Sequence, residues 1–294
     1  MDEIIDYSKI YSVSKLGMFE KCPKSYHFSY LDPIYSKMKN DLKKLPHNIF
    51  SFQTLGKAIH NAITLFYHAP VEQRTYEQLK EFLKQTWQSE VMWNKKPPLG
   101  EWGGFKSLDE EREVYSQALV MLANFLQMAK IEPEFEYLPT QDLRRSIEDY
   151  QNLITPLSEV FDISGKFDLV MKDDDSLNIV DFKTGKEENG DQFQLRFYKV
   201  LAEENFKKTV AKASFYFLKT GHKKEFDLEK QETEKIKKEI LAKINQIKTC
   251  QNFETKPSKL CKFCLFKTFC PEKEKVREII GDIKEEEYSE ELPF

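Results

Sequence analysis

The stretch IVDFKTGK, residues 179–186, puts an aspartate and a lysine two residues apart in an otherwise apolar strand. A charge inside an apolar strand costs free energy unless it is paired, hydrogen-bonded or bound to a metal. Because side chains alternate between the two faces of a strand, Asp181 and Lys183 project from the same face. What else surrounds Asp181 therefore depends on the neighbouring strand.

That neighbouring strand is predicted over residues 161–171, where apolar residues alternate and the turn signal DDDS follows. A four-residue loop over 173–176 would set the register so that Asp168 lies directly across from Asp181. Two like charges opposite each other on paired strands repel each other, which is unfavourable. A cation bound between the two carboxylates would make the interaction favourable. The hairpin therefore predicts a cation held between two carboxylates.

Two carboxylates and one ammonium at one spot favour a hydrolytic metal site. Carboxylate oxygens suit Mg²⁺ or Mn²⁺, which keep several waters and bind substrate phosphates. The metal stabilises charge on a phosphorane-like transition state, and Lys183 can position and activate the attacking water. The predicted reaction is phosphodiester hydrolysis. The alternative is a structural ion pair between Asp181 and Lys183 at a strand end.

The periodicity of the remaining chain predicts helices around a mixed sheet. Helices are expected from a Ser12 or Ser14 cap to about residue 20, from Cys22-Pro23 onward, and over 51–69, 71–92, 107–130, 191–205 and 228–248. Strands are expected over 135–139, 161–171, 177–183 and 213–219, and residues 31–50 are expected to form a loop. This order of elements indicates an α/β fold with a mixed β-sheet core flanked by helices.

Composition limits the class of protein. The 294 residues are 40% apolar, which is enough for one large domain or two modest ones. No secretory signal pattern begins the sequence and no apolar run is as long as a membrane span, so we expect a cytoplasmic protein without membrane contact. The net charge is −4, but outside the acidic tail, residues 281–294, there are 44 basic and 43 acidic residues. Lysine clusters at 37–44 and 219–224 are candidate basic faces, although such clusters are more often solvated surface.

Four of the five cysteines have the spacing of a thiolate metal site. Cys261, Cys264 and Cys270 form a C-x2-C pair followed by a third cysteine, and Cys22 would be the fourth ligand. Four thiolates suit zinc or an iron-sulfur cluster, and geometry alone does not choose between them. Cys22 has no C-x2-C partner of its own, which favours a cluster over a zinc site with two paired knuckles. Cys250 is expected to be a buried or surface thiol.

Several of these stretches resemble the PD-(D/E)XK nuclease superfamily, in its RecB-like branch, which includes the CRISPR-associated iron-sulfur exonucleases. The resemblance rests on GKFD (165–168), IVDFKTG (179–185) and QLRFY (194–198), and GKAIH (56–60) is similar to the histidine motif of that branch. It implies a restriction-endonuclease-like core.

The resemblance also implies a set of catalytic residues, which are His60, Asp168, Asp181, Lys183, Gln194 and Tyr198. The histidine and the two aspartates would hold Mg²⁺ or Mn²⁺, with the Phe182 carbonyl as a further candidate ligand. Lys183 would be the catalytic lysine, and the glutamine and tyrosine, four residues apart on one helical face, would orient the site or the DNA backbone. Lys166 stands where this branch usually has arginine. Taken alone, His60 would be interpreted as a histidine at the edge of the core and Tyr198 as a packing residue.

The same branch carries one N-terminal cysteine in a Cys-Pro step and three C-terminal ones. The resemblance therefore implies that Cys22, Cys261, Cys264 and Cys270 ligate a [4Fe-4S] cluster that joins the termini. The predicted domains are an N-terminal helical segment with one cluster cysteine (1–50), a nuclease core (51–249) with a helical insertion (71–130), a cluster segment (250–280) and an acidic tail (281–294).

These features together predict a metal-dependent DNA exonuclease acting on single-stranded or end-bearing DNA, in repair or recombination or in CRISPR adaptation. Candidate partners are a helicase, repair proteins and CRISPR adaptation proteins.

The tail EEEYSEELPF (285–294) resembles the acidic, Pro-Phe-ending docking peptide of bacterial single-stranded DNA-binding proteins. A solvated, disordered tail, or one that folds back on a basic channel, is the alternative. The rival functions are a non-catalytic DNA-binding or scaffolding subunit and a zinc-stabilised DNA-binding module.

Overall fold

A computed structural model describes residues 6–89, 95–139, 153–185 and 190–283, so most of the acidic tail lies outside the described residues. The chain divides into two compact units. We call Met1–Val13 with Phe50–Ile244 the sheet unit, and Ser14–Ile49 with Asn245–Phe294 the cysteine unit. The four predicted domain boundaries stay a prediction.

Helices make up much of both units. The described α-helices are α1 (Val13–Lys21), α2 (Pro23–Tyr30), α3 (Pro33–Lys44), α4 (Ser51–His68), α5 (Tyr76–Thr86), α6 (Leu108–Met128), α7 (Gln192–Phe206), α8 (Thr233–Thr249) and α9 (Lys273–Ile280). The loop predicted over 31–50 is wrong, because Asp32 caps α3 by accepting the N–H groups of Ile34 and Tyr35, and proline occupies the first turn. Helix α5 is shorter than the predicted helix over 71–92.

The strands form two sheets in the described part of the chain. They are β1 (Ile10–Tyr11), β2 (Phe135–Tyr137), β3 (Leu153–Pro156), β4 (Asp162–Gly165), β5 (Leu169–Asp173), β6 (Ser176–Lys183), β7 (Val210–Phe217) and β8 (His222–Asp227). The larger sheet has the order β2-β5-β6-β7-β8 with only β6 and β7 parallel, and the smaller has the order β1-β4-β3 with β1 and β4 parallel. The predicted α/β fold with mixed strands and flanking helices is confirmed.

The single strand predicted over residues 161–171 is wrong, since this stretch is divided between β4 and β5, which belong to different sheets. The division follows Gly165, where a Cβ atom would lie 2.9 Å from the Leu201 side chain and 3.1 Å from that of Tyr198. Helix α7 thus packs directly on the backbone at the end of β4, and only glycine allows that approach. The next residues, 166–168, connect the two strands.

The hairpin β5–β6 has the predicted register over its length. Leu169 pairs with Val180, so the next step along the ladder brings Asp168 opposite Asp181. The turn is tighter than the four-residue loop proposed from the sequence, because Asp173 also pairs with Ser176. The two remaining turn residues include Asp174 with φ of 54°, a left-handed conformation that aspartate tolerates better than most residues.

The core of the sheet unit fixes which way the β6 side chains face. Val180 and Phe182 lie in the apolar cluster formed with α4, α5 and α6, which includes Ile59 and Phe125. Alternation along the strand then turns Asp181 away from this cluster. The polar residues of β6 are thus positioned by the burial of their apolar neighbours.

The cysteine unit has its own small core, in which Phe28, Leu42 and Phe266 are buried together. The Lys267 ammonium donates to the Asn48 side chain over 2.5 Å, which joins the two sequence segments of this unit. Across the described ranges of both units, none of the helices combines the length and the apolar character that crossing a membrane requires.

Candidate active site

The end of the β5–β6 hairpin gathers the carboxylates and the lysine predicted from the sequence. Asp181 is 5% exposed, and its Oδ2 lies 2.8 Å from the Lys183 ammonium. Its Oδ1 accepts a hydrogen bond of 2.8 Å from the Gln194 amide, whose oxygen in turn accepts one of 2.9 Å from Lys183. The side chains of one strand and of α7 therefore form a closed ring of polar contacts.

Asp168 is held from two sides. Its Oδ2 accepts the backbone N–H of Phe182 over 2.8 Å, and its Oδ1 lies 2.8 Å from Nδ1 of His60 on α4. The His60 ring also meets the Phe182 ring edge-on, with centroids 6.0 Å apart. The predicted histidine, on a helix more than a hundred residues earlier, is thus brought to the hairpin end.

The ionisation of these groups reflects their burial and their mutual charges. Burial, with the Asp168 charge next, raises the pKa of Asp181 to about 6. Burial also raises the pKa of Asp168. The charge and the hydrogen bond of His60 outweigh this effect, so the pKa of Asp168 stays below its usual range. Burial lowers the pKa of His60, and the two aspartates more than reverse this, so the net shift is upward.

Gln194 and Tyr198 lie one turn apart on α7, as the sequence predicts. Asp191 caps this helix by accepting the N–H of Phe193 over 2.9 Å. The Gln194 amide is 3.5 Å from the Tyr198 hydroxyl, a weak contact. Burial, with Asp181 next, raises the pKa of Tyr198, so its hydroxyl stays protonated. Its ring packs edge-on against Phe167, with centroids 5.2 Å apart, so this tyrosine has a packing role as well.

Two lysines beside the site were not recognised from the sequence as a pair. Burial, with the charge of Lys166 next, lowers the pKa of Lys57 to about 8, which shows that the two ammonium groups lie close together. Lys57 is three residues before His60 on α4, and Lys166 is two residues before Asp168. Helical spacing within the stretch GKAIH was the available signal, because residues three apart share a helix face.

The fit of these residues to a divalent cation rests on their chemistry. No group of three or more His, Cys, Asp or Glu within the described ranges is arranged so that it could hold a metal ion. His60 and Asp168 bond to each other, and Asp181 Oδ1 bonds to Gln194. Asp181 Oδ2 is buried and lies 2.8 Å from the Lys183 ammonium. Carboxylate oxygens are hard ligands of the kind that Mg²⁺ and Mn²⁺ take, so the chemistry of this donor set fits such a cation.

The four predicted cluster cysteines all lie in the cysteine unit as free thiols. Cys22 is the N-cap residue of α2, and Cys264 and Cys270 each follow a short 3-10 turn, Lys259–Phe263 and Lys267–Phe269. Turn ends are places where the backbone direction changes, so thiols from separate turns can face one another.

Mutual electrostatic effects show that these thiols are neighbours. Burial raises the pKa of Cys264 to about 11, and Cys22 and Cys261 add to that increase. Burial likewise raises the pKa of Cys270, with the same two cysteines contributing. Thiolates are soft donors of the kind that bind zinc or iron, although these four are among the described residues that form no metal-holding group as they stand. The Cys250 Sγ donates to the Asn252 carbonyl.

Comparison with known proteins identifies the family. No curated protein is significantly similar to this chain. A family model for the PD-(D/E)XK nuclease superfamily matches residues 10–271, most of the sequence and the whole of the hairpin site. The chain therefore belongs to the PD-(D/E)XK nuclease superfamily.

Proposed function

We propose that this nuclease-superfamily member is a metal-dependent DNA exonuclease that hydrolyses phosphodiester bonds. The observation that carries the proposal is the meeting of His60, Asp168, Asp181 and Lys183 at one end of the β5–β6 hairpin. Two buried carboxylates beside a lysine and a histidine are costly for a hairpin that serves only as a scaffold, and a bound cation would offset that cost. Superfamily members are nucleases that generally depend on a metal.

In the proposed mechanism, His60, Asp168 and Asp181 hold Mg²⁺ or Mn²⁺. When bound, the cation supplies positive charge that stabilises the developing negative charge on the scissile phosphate. Lys183, 2.8 Å from Asp181, lies where an ammonium can orient the attacking water by donating a hydrogen bond to its oxygen. Gln194 keeps Lys183 and Asp181 in place through its two amide atoms. Tyr198 supports Gln194 from the next helical turn.

A phosphodiester substrate suits the charges beside this site. Lys57 and Lys166 bring two ammonium groups beside the carboxylates; burial and then the charge of Lys166 lower the pKa of Lys57, and burial lowers the pKa of Lys166. A phosphate beside these lysines would form charge-assisted hydrogen bonds with them. We therefore assign these lysines to the substrate phosphate flanking the reacting one.

We further propose that Cys22, Cys261, Cys264 and Cys270 hold a [4Fe-4S] cluster, as in the RecB-like branch that the motifs resemble. The support is the contribution of Cys22 and Cys261 to the raised pKa values of Cys264 and Cys270, and the absence of a second knuckle around Cys22. Such a cluster would join the segments 14–49 and 245–283 of the cysteine unit. Zinc bound by the same thiols is the alternative that metal analysis distinguishes.

The proposed substrate is single-stranded or end-bearing DNA, and the proposed role is DNA repair or recombination, or CRISPR adaptation. Proposed partners are a helicase that supplies single strands and the repair or adaptation proteins of the same pathway. We propose the acidic tail as a docking peptide for such partners. The cytoplasm, where these reactions occur, is the proposed location.

The rival function is a non-catalytic DNA-binding subunit that keeps the fold. The decisive experiment is digestion of linear and circular single-stranded DNA by anaerobically purified protein with Mg²⁺, Mn²⁺ or a chelator, beside Lys183→Ala. We expect metal-dependent loss of the linear substrate with the native protein alone. DNA binding with a full iron content but without cleavage would favour the non-catalytic subunit. Cleavage of circular DNA at an equal rate would replace the exonuclease by an endonuclease.

A further inference from the structure

The side chain of Lys183 leans away from its own neighbour on the adjacent strand. In the parallel pair β6–β7, Lys183 is in register with Phe217, and Asp181 is in register with Phe215. The Lys183 ammonium nevertheless lies over the ring of Phe215, 5.0 Å from its centroid. The lysine side chain is therefore bent back along β6 towards Asp181, and the aromatic ring that it meets there is that of Phe215.

Among the described residues, three groups contact this ammonium. The Asp181 carboxylate lies 2.8 Å away and the Gln194 amide oxygen 2.9 Å away. The Phe215 ring supplies the third contact, at a distance within the range of cation–π attraction. The lysine side chain keeps 30% of its surface exposed. The ammonium is thus held by the protein on several sides and stays open to solvent on the rest.

The Phe215 ring is a fixed support because its own packing holds it. The ring is buried, and it packs against the rings of Phe217 and Phe226, whose centroids lie 6.0 and 5.9 Å away. These neighbours belong to β7 itself and to β8, so the sheet determines where the ring lies. Close-packed side chains of this kind do not shift to follow a partner. The flexible lysine therefore adapts to the ring, and the ring does not adapt to the lysine.

The same ring also supports the backbone that leads to Gln194. A Cβ atom on Gly190 would lie 2.0 Å from a ring carbon of Phe215, so a larger residue there would collide with the ring. Asp191, the next residue, caps α7, and Gln194 follows three residues later. Lys183 and the segment that carries its hydrogen-bond partner Gln194 thus contact one and the same aromatic ring.

An aliphatic side chain at position 215 would fill space without attracting the ammonium. The face of an aromatic ring is negative, and its attraction for a cation is larger when the pair is withdrawn from water. A lysine has four rotatable side-chain bonds, and holding it in one rotamer costs conformational entropy. The attraction of the ring offsets part of that cost, and it favours the rotamer in which the ammonium stays beside Asp181.

We propose that Phe215 is a positioning residue, whose ring face holds the Lys183 ammonium in the position from which it donates to the attacking water. The Asp181 and Gln194 oxygens engage two sides of the ammonium, and the ring supports it on another side. An N–H group then remains for the water on the exposed side. The part in catalysis rests on the proposed function, whereas the attraction between ring and ammonium does not.

The test changes the electron density of the ring with little change in its size. Phenylalanine carrying one, two or three fluorine atoms is incorporated at position 215, because each fluorine makes the ring face less negative. We expect kcat on linear single-stranded DNA with Mg²⁺ to fall step by step, to a total loss of about fivefold at three fluorines. KM should not change, since the buried ring does not touch the substrate. The same series at Phe217, which is also buried on β7, is the matched control and should leave kcat unchanged.

Thermal unfolding in chelator measures the contact without reference to cleavage. Three fluorines at position 215 are expected to lower the melting temperature by about 3 °C in the native background, and by less than about 1 °C in Lys183→Met. Methionine keeps an apolar stem and removes the charge. The difference between the two backgrounds therefore isolates the attraction between ring and ammonium from any effect of fluorine on packing.

Three results would overturn the proposal: a kcat that does not depend on the number of fluorines, an equal response at Phe217, or equal melting shifts in both backgrounds. An inactive native protein that still shows the difference in melting shifts would contradict the proposed exonuclease and support the contact between Phe215 and Lys183. An active native protein with neither response would contradict the role of Phe215 and leave the exonuclease standing.

Discussion

In the sheet unit the predicted metal ligands lie at fixed positions of a strand register, whereas in the cysteine unit the predicted ligands lie at the ends of short turns. The β5–β6 ladder ends at Leu169–Val180, one step before Asp168 and Asp181, and the Phe182 N–H holds Asp168 to the backbone of β6. Cys264 and Cys270 depend on two 3-10 turns in a segment far from Cys22 in sequence. Backbone pairing holds the carboxylates in position before any ligand binds. Thiols at the ends of short turns become ordered when they bind their ligand. The first site should therefore tolerate ligand removal and the second should not.

The largest expected effect is on catalysis. Asp168→Asn keeps an acceptor for the Phe182 N–H but removes the charge that pairs with His60. We expect the initial rate on linear single-stranded DNA to fall about a thousandfold or more, while circular dichroism in chelator shows a folded protein that melts at a somewhat lower temperature because the ion pair with His60 is lost. Asp173→Asn, at the other end of the same hairpin, is the matched control. Retention of more than a tenth of the rate would show that Asp168 is not a ligand.

The second prediction concerns the cysteine unit. Cys264→Ser should abolish iron binding and destabilise this unit by about 3 kcal/mol or more, because the binding free energy of a structural metal is also folding free energy. Cys250→Ser, at the thiol outside the group, should change stability by about 0.5 kcal/mol or less. Iron content and anaerobic thermal unfolding measure both variants. Equal melting temperatures for the two would contradict a structural metal centre.

The third prediction sharpens the claim that the sheet-unit site is preformed. The folded pKa of Asp181 is about 6, above its ordinary value of 3.8, so ionising this group costs stability as the pH rises through 6. Asp181→Asn should therefore stabilise the chelated protein by about 1–3 kcal/mol at pH 7 and above, since one pKa unit corresponds to about 1.4 kcal/mol. The gap should shrink as the pH falls from 6 towards 4 and vanish only well below 3.8, where the carboxyl is protonated in both the folded and the unfolded state.

Urea unfolding between pH 4 and 8 measures this difference, with Asp173→Asn as the control that shows no such trend. A native protein that is more stable than Asp181→Asn at pH 8 in chelator would contradict it. Native protein with Mg²⁺ should regain stability that the variant does not.

The smallest expected effect is at Tyr198. Tyr198→Phe removes only a weak 3.5 Å contact with Gln194 and keeps the packing on Phe167. We expect a two- to fivefold loss of rate and nearly unchanged stability, in line with the modest net value of one such hydrogen bond. A loss above a hundredfold would give the hydroxyl a direct role with the substrate.

Sequence reasoning predicted which candidate residues lie together better than it predicted the elements around them. The register of β5 and β6 follows from a turn signal and strict alternation, which are local features, and it brings Asp168 opposite Asp181. Strand β8 was missed because almost all of its residues are exposed and no apolar alternation marks it. The break after Gly165 was missed because its cause is the approach of α7, a contact between distant parts of the chain. Helix α3 carried its Asp-Pro start signal, which was overlooked.

The cysteine unit is built from two segments with the 195 residues of 50–244 between them. On the ribosome, Cys22 emerges early and stays without Cys261, Cys264 and Cys270 until nearly the whole chain has been made. Domains fold as their sequence is completed, so the sheet unit has its full sequence before the cysteine unit does. If the thiols hold the proposed cluster, they can be loaded only after the sheet unit has been made, and a chain truncated before Cys261 would carry a complete hairpin site without the thiol site. Iron supply would thus determine how much finished protein accumulates rather than how well the hairpin forms.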